Sequence, residues 1–156
     1  MPKSPRDLTC VVTHDGLKVK ALINRWHSTH RAPAGWRVAF LLLDGSQILG
    51  VSTFGRPVAR LEDQKQSLEH TRMALDRTPK NTGSWFLAQS RQWIRENMPE
   101  ITRLIAYVDL TIHHGTIYRA DNWKLISSRK TWNTWKNREG RQGKCAKIRA
   151  KFERNP

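Results

Sequence analysis

The densest run of chemistry-bearing side chains is Tyr107-Val-Asp109-Leu-Thr-Ile-His113-His114-Gly115-Thr-Ile-Tyr118-Arg119-Ala-Asp121-Asn-Trp123. Carboxylate, imidazole and phenol brought this close can transfer protons or hold a metal. Asp109 ends an apolar stretch at Ile101–Asp109, where the sites of open α/β sheets lie. Tyr118 falls one turn into the short helix that follows. The competing reading is local: Asp109 caps a helix, Tyr118 packs, and His113 and His114 rest on the surface. Their density around Asp109 favours chemistry. A second run, Arg25-Trp26-His27-Ser28-Thr29-His30, follows a helix and could close over the same sheet edge. His27 or His30, with Asp109 and a histidine or tyrosine of the first run, has the donor types that non-haem iron takes. A third constellation, Lys80-Asn81-Thr82-Gly83-Ser84, joins a strand to a helix. Free N–H groups and the positive end of the helix dipole suit such a junction to phosphate, and Gly83 permits close approach. It lacks the Gly-Lys-Ser/Thr of a nucleotide-triphosphate loop. The alternative is an ordinary capped helix.

The elements that must position these groups alternate. Leu8–Thr13 reads as a short strand and Gly16–Trp26 as a helix with Leu17, Ala21 and Ile23. Two apolar runs, Trp36–Leu43 and Gln47–Phe54, flank Asp44-Gly45, a strong hairpin signal. Ser67–Leu75 is a third long strand, Ser84 to about Met98 an amphipathic helix closed by Pro99, and Ile101–Asp109 the next strand. A short helix near His114–Asp121 and a last strand at Trp123–Ser127 complete the order β-α-β-β-β-α-β-α-β. This is an α/β chain with a mixed sheet and helices packed on it.

The chain's 156 residues suffice for one domain with a real core. Its charge is the decisive bulk property: 28 Lys and Arg against 13 Asp and Glu, a formal +15. Such an excess implies a polyanionic partner, nucleic acid first; the alternative is charge that merely solubilises. Ten of the cations lie within residues 129–156, opposed only by Glu139 and Glu153. Trp132, Trp135 and Phe152 interleave with them, a pattern suited to phosphate neutralisation and base stacking. Arg129, Lys130, Trp132, Trp135, Lys136, Arg138, Arg141 and Lys144 are the candidate DNA contacts, although Trp132 and Trp135 could equally fold back onto the core. Residues 1–127 are expected to form the catalytic domain and 128–156 a basic DNA-binding extension. No apolar run reaches membrane-span length and the N-terminus lacks a secretion signal. Cys10 and Cys145 define neither a disulfide framework nor a zinc site, so a reducing cytoplasm is the simplest expectation.

Element order and residues together resemble the GNAT (N-acetyltransferase-like) superfamily, and more closely the phage Mom DNA-modification proteins, a divergent branch of that fold. The likeness spans roughly Gly16–Trp123. It is carried by Gly50-Val-Ser-Thr-Phe-Gly-Arg-Pro57, Glu69-His-Thr-Arg72, Asn81-Thr-Gly-Ser84 and the segment from His114 through Tyr118 to Trp123. The resemblance implies a central, mostly antiparallel, twisted sheet flanked by helices. It implies a phage or prophage enzyme, working in the host cytoplasm, that converts adenine N6 in double-stranded DNA to a carbamoylmethyl (acetamido) form and so shields DNA from restriction endonucleases. It also implies acetyl-CoA as the small-molecule acyl donor, its pyrophosphate held by residues 77–84 and the helix after them; the family's usual Arg/Gln-x-x-Gly-x-Gly/Ala pattern is here reduced to Gly83. The functional polar residues carried over are Arg72, Ser84, Asp109 and Tyr118, with His27 as an N-terminal member.

Physical roles follow for each. The N6 lone pair is delocalised and the base is paired, so extrusion must precede reaction. Asp109 would accept the N6 proton, Tyr118 would donate to a leaving group, Arg72 would neutralise a carboxylate or phosphate, and Ser84 would contact the donor. A carbamoylmethyl product needs a bond at the acetyl methyl carbon and an added nitrogen. Iron-based radical chemistry is one route to that carbon, with His27, Asp109 and Tyr118 as ligands. Two other readings stay open: an N-acetyltransferase acting on a protein or RNA amine, and a DNA-binding module without activity. A homodimer is also left open.

Overall fold

Apolar and β-branched runs, broken by turn residues, build one mixed sheet in this computed structural model, which describes residues 1–27, 30–131 and 147–156. Its strands are β1 (Thr9–Thr13), β2 (Val38–Asp44), β3 (Gln47–Gly55), β4 (Ser67–Leu75), β5 (Arg103–Asp109), β6 (Lys124–Thr131) and β7 (Lys147–Arg154). They lie in the order β1-β2-β3-β4-β5-β7-β6. Every neighbouring pair is antiparallel except β4 and β5. The expected hairpin forms between β2 and β3, with Gly45 at φ +56° supplying the left-handed turn residue. The helices are α1 (Gly16–Trp26), α2 (Thr82–Asn97) and α3 (Thr116–Ala120). None among the described residues is long and apolar enough to cross a membrane.

Period-two alternation along the strands sorts the core into two layers. Phe40, Leu42, Leu104 and Ala106 meet α2 through Phe86, Leu87 and Ile94 on one face. Ala39, Leu41, Val51 and Ala74 meet α1 through Val19 and Ile23 on the other. One irregularity in β4 matters for the site. Thr53 pairs with Arg72 but Phe54 pairs with His70, so Thr71 is an extra residue, a β-bulge. The bulge reverses the alternation beyond it: His70 contacts Phe54 on the α2 side, whereas Ala74 lies in the α1 layer.

The expected boundary between a domain at 1–127 and an extension at 128–156 does not match the sheet. Strand β6 runs across it, and β7 is inserted between β5 and β6. Phe152, read from sequence as one of the aromatics interleaved with the tail cations, is instead fully buried and stacked on Tyr118 with ring centroids 5.4 Å apart. Part of the tail's charge also belongs to the fold: Lys151 pairs with Glu62, and Arg154 with Asp121. The cause lies in the alternation Lys147-Ile-Arg-Ala-Lys-Phe-Glu-Arg154, a strand signal masked by its charge density. Of the candidate DNA contacts, Arg129 and Lys130 lie on β6; Trp132, Trp135, Lys136, Arg138, Arg141 and Lys144 lie outside the described residues.

Candidate active site

Parallel strands β4 and β5 are paired only at Ser67–Arg103, Leu68–Leu104 and Glu69–Ile105. Beyond those pairs β4 stays with β3 while β5 follows β7, so the sheet opens as a wedge. A cavity of about 850 Å³ occupies this opening, within the size range of ligand sites. It is lined by β4 from Glu69 to Leu75, the end of β5, the turn into α3, and His27 and His30 after α1. Arg72, Asp109, Tyr118 and His27, four residues singled out from sequence, therefore share one cavity.

A buried polar chain lies beside it. The Tyr118 hydroxyl is 2.7 Å from His70 Nδ1, and His70 Nε2 is 2.9 Å from Ser52 Oγ. Burial pushes the His70 imidazolium down to about pH 3, so the ring is neutral. Burial, followed by the nearby Glu69 charge, raises the Tyr118 phenol well above its ordinary value, keeping its proton on at neutral pH. A neutral imidazole offers one donor and one acceptor. In the tautomer with the proton on Nδ1, the ring donates to the phenol oxygen, accepts the Ser52 hydroxyl at Nε2 and leaves the Tyr118 O–H to donate into the cavity; in the other, Tyr118 donates to Nδ1 and Nε2–H donates to Ser52 Oγ. Tyr118 is clamped between Phe152 and Trp123, with the Trp123 centroid at 5.2 Å.

The turn before α3 explains the glycine in His114-Gly-Thr-Ile-Tyr118. Gly115 has φ +69°, and a Cβ there would meet Phe152 Cζ at 2.8 Å. Only a residue without a side chain brings Tyr118 onto Phe152 in this way. Downstream, Asp121 fixes the segment: it accepts two bonds from Arg91 (3.0 and 2.9 Å) and one from Trp123 Nε1 (2.8 Å).

Carboxylates and cations face the opening. Asp109 Oδ1 accepts from the Thr111 backbone N–H at 3.0 Å, which fixes its rotamer at the strand end. Glu69 is buried and accepts the Val58 N–H at 2.8 Å; desolvation raises its pKa, a property useful in a general base. Arg72 donates from Nε to the Arg31 carbonyl at 2.9 Å, tying the segment after α1 to β4. His27 accepts the His30 N–H through Nδ1 at 3.1 Å. Desolvation, then the Arg72, His30 and His113 charges, lowers the His27 pKa.

Two sequence expectations come out differently. Lys80, Asn81, Thr82, Gly83 and Ser84 do not line the cavity. Gly83 makes a close approach, but to protein: a Cβ there would meet Ile117 Cγ2 at 2.8 Å. Ser84 Oγ donates to the Asn81 carbonyl at 3.1 Å. The turn lies directly behind Leu75 and Ile117, which do line the cavity. The iron set of His27, Asp109 and Tyr118 expected from sequence finds no support in the structure. Among the described residues no three His, Cys, Asp or Glu side chains converge as metal ligands, and the Tyr118 hydroxyl is engaged by His70. Sequence reading placed Ser52, Glu69 and His70 in the runs that carry the family resemblance but gave them no role. Their signal was present as polar residues inside runs of strand burial, which are costly unless hydrogen-bonded.

Solved structures that superpose on this chain include acetyltransferases. An IAA acetyltransferase from Bacillus cereus superposes with a TM-score of 0.65 at 12% identity, covering 95% of this chain and 100% of that one. A GNAT-family acetyltransferase from Streptococcus pneumoniae gives 0.61 at 11% identity, covering 95% and 100%. An acetyltransferase structure from Salmonella typhimurium, described with its cofactor acetyl-CoA, gives 0.63 at 11% identity over 96% and 94%. The fold is thus that of the GNAT acyltransferases. Within it the sequence is more specific: the model of the Mom protein family matches residues 10–154, and the chain belongs to that family. No curated protein matches it.

Proposed function

We propose that the protein modifies the N6 amine of adenine in double-stranded DNA, giving the carbamoylmethyl form, with acetyl-CoA as the acyl donor. The observation that carries this reading is the cavity where β4 and β5 part, in which Asp109, Glu69, Arg72 and Tyr118 meet in a chain of the Mom family. The formal charge of +15 supports a polyanionic substrate over a small neutral amine.

Acetyl-CoA supplies the two acyl carbons when bound. The residues present fit such a donor. Past Glu69 the β5-facing edge of β4 has no strand partner among the described residues, and it offers backbone N–H and C=O groups to an extended amide arm. The exposed Lys80, in the turn that lies behind Leu75 and Ile117, supplies a positive charge for the donor's anionic end outside the cavity. Tyr118, held by His70, would protonate the coenzyme A thiolate released when a nitrogen donor turns the thioester into the amide. Joining N6 to the methyl carbon removes two electrons and two protons, so an oxidant and an ammonia-level nitrogen donor are co-reactants of the proposed reaction. Glu69 or Asp109 accepts the proton lost by the amine. Arg72 ties Arg31 to β4 and places a positive charge at the cavity wall.

Mass spectrometry of nucleosides from the DNA of expressing cells tests the reading. A carbamoylmethyl-adenine nucleoside is expected with the natural chain and is absent with Tyr118→Phe. Unmodified DNA together with a newly acetylated protein or RNA amine would replace this reading by that of an N-acetyltransferase.

A further inference from the structure

Between β3 and β4 lies a loop whose side chains divide by chemistry. Leu61 is 102% exposed and Val58 74% exposed, and Arg56 and Arg60 also face solvent. Single exposed apolar side chains are ordinary on a protein surface. This loop differs because its base is braced while its apolar side chains are held outward. The Glu62 carboxylate pairs with Arg103 on β5 and Lys151 on β7. The Val58 N–H is bound by Glu69, the Glu62 N–H by the Ala59 carbonyl at 3.1 Å, and Gln64 Nε2 donates to the Ala59 and Glu62 carbonyls at 3.2 and 3.0 Å. Pro57 is buried.

The loop is also in a telling place. Val58 lines the catalytic cavity and is fastened to Glu69, which lines it too. Leu61 is three residues further on, so its Cα lies within roughly 10 Å of that of Val58. An adenine N6 inside a duplex is reachable only after the base leaves the stack. The gap so made is filled in other DNA-distorting proteins by an apolar side chain flanked by cations on the phosphates.

We infer that the loop of residues 56–62 is a DNA wedge: Leu61 enters the stack beside the extruded adenine, Val58 borders the path into the cavity, and Arg56 and Arg60 hold the flanking phosphates. The inference rests on the DNA reading proposed above, but it concerns how the duplex is opened rather than what is transferred.

The test uses the full chain and a duplex containing a site that the wild-type protein modifies, with 2-aminopurine in place of the target adenine. Wild-type protein is expected to raise the 2-aminopurine fluorescence. Leu61→Ala should lose most of that rise while binding the duplex within about threefold of wild type, since affinity comes mainly from cations. Its modification of the ordinary duplex should fall roughly tenfold or more, as expected when the cost of unstacking is no longer offset. The same variant should regain near-wild-type modification when the target adenine faces a mismatch, because unpairing then costs less. Replacing Arg56 and Arg60 by Ala should flatten the salt dependence of binding. Thermal melting should be unchanged by Leu61→Ala, whose parent side chain is solvated. Equal fluorescence and activity in Leu61→Ala and wild type, or a loss that the mismatch does not repair, overturns the wedge while leaving the DNA reading intact. Self-association that Leu61→Ala abolishes, with base extrusion unaffected, would reassign the loop to contact between copies. Wild-type protein that neither modifies the duplex nor raises the fluorescence would remove the DNA reading and the wedge together.

Discussion

Two turns lead from a strand into a helix, and they look alike in sequence: Asn81-Thr-Gly83 at the start of α2 and His114-Gly115-Thr at the start of α3. Each places a left-handed residue at the N-cap, Asn81 at φ 67° and Gly115 at φ 69°, with no side-chain cap bond. Each contains a glycine that a neighbour crowds, Ile117 over Gly83 and Phe152 beneath Gly115. Yet only the second lines the cavity. What separates them is the strand behind. The α3 turn follows β5 where that strand diverges from β4, so its backbone borders the opening. The α2 turn sits one side chain further back, covered by Ile117. A glycine-bearing turn becomes part of a site through what the sheet does beside it.

The largest expected effect that would break this contrast is at Gly115. Gly115→Ala combines a left-handed backbone cost of about 1–2 kcal/mol with overpacking against the Phe152 ring of about 1–3 kcal/mol. Denaturant unfolding should show a loss of about 2–5 kcal/mol, accompanied by loss of modification. A variant as stable and active as wild type would mean that the turn does not set Tyr118.

Tyr118→Phe comes next and separates chemistry from packing. Modification should fall by roughly 100-fold or more if the phenol is the general acid. Stability should fall by only about 1–3 kcal/mol, since the ring stays and the buried His70 Nδ1 loses its partner. Retained activity would move the proton donor elsewhere.

The Ser52–His70–Tyr118 chain also predicts an acid sensitivity. His70 is neutral in the folded protein down to about pH 3 but takes up a proton near pH 6.5 when unfolded. Between those values the unfolded chain binds more protons, so folding stability is full above about pH 6.5 and declines as pH falls. Melting temperature against pH should therefore drop less steeply for His70→Gln than for wild type. Parallel curves would mean that His70 is not held neutral by burial.

The smallest effect belongs to the other turn. Gly83→Ala gains about 1 kcal/mol of helix propensity and meets Ile117, an overpacking cost of about 1–3 kcal/mol, so the net loss should lie between about 0 and 2 kcal/mol. Together with Lys80→Ala it should raise the KM for the acyl donor a few-fold and leave kcat nearly unchanged. A collapse of kcat would place this turn in the catalytic centre and erase the contrast with Gly115.

Much of the architecture was legible before any coordinates. The helix at Gly16–Trp26 and the strand at Ser67–Leu75 have the expected bounds, because apolar periodicity and turn residues are local signals. The Asp44-Gly45 hairpin followed from turn chemistry. Strand β7 was hidden because its lysines and arginines alternate with Ile148, Ala150 and Phe152, and charge density outweighed the period. Asp109, Tyr118 and His27 were singled out by type and position and Arg72 through the family resemblance, and all four line the one cavity. His70, Ser52 and Glu69 were given no role, since a polar residue in a strand reveals one only through its neighbours.

Composition and pattern alone established a basic α/β chain with a mixed sheet and a cluster of proton-transfer groups after its fifth strand. Those properties are sums over residues or repeats along the chain, and they need no knowledge of contacts. Tertiary structure alone decided that β4 and β5 separate after Glu69, that a bulge at Thr71 sends His70 toward Tyr118, and that Phe152 is a core ring. Each depends on pairing between residues distant in the chain, where the register of one strand determines which side of the next faces a helix, a cavity or solvent.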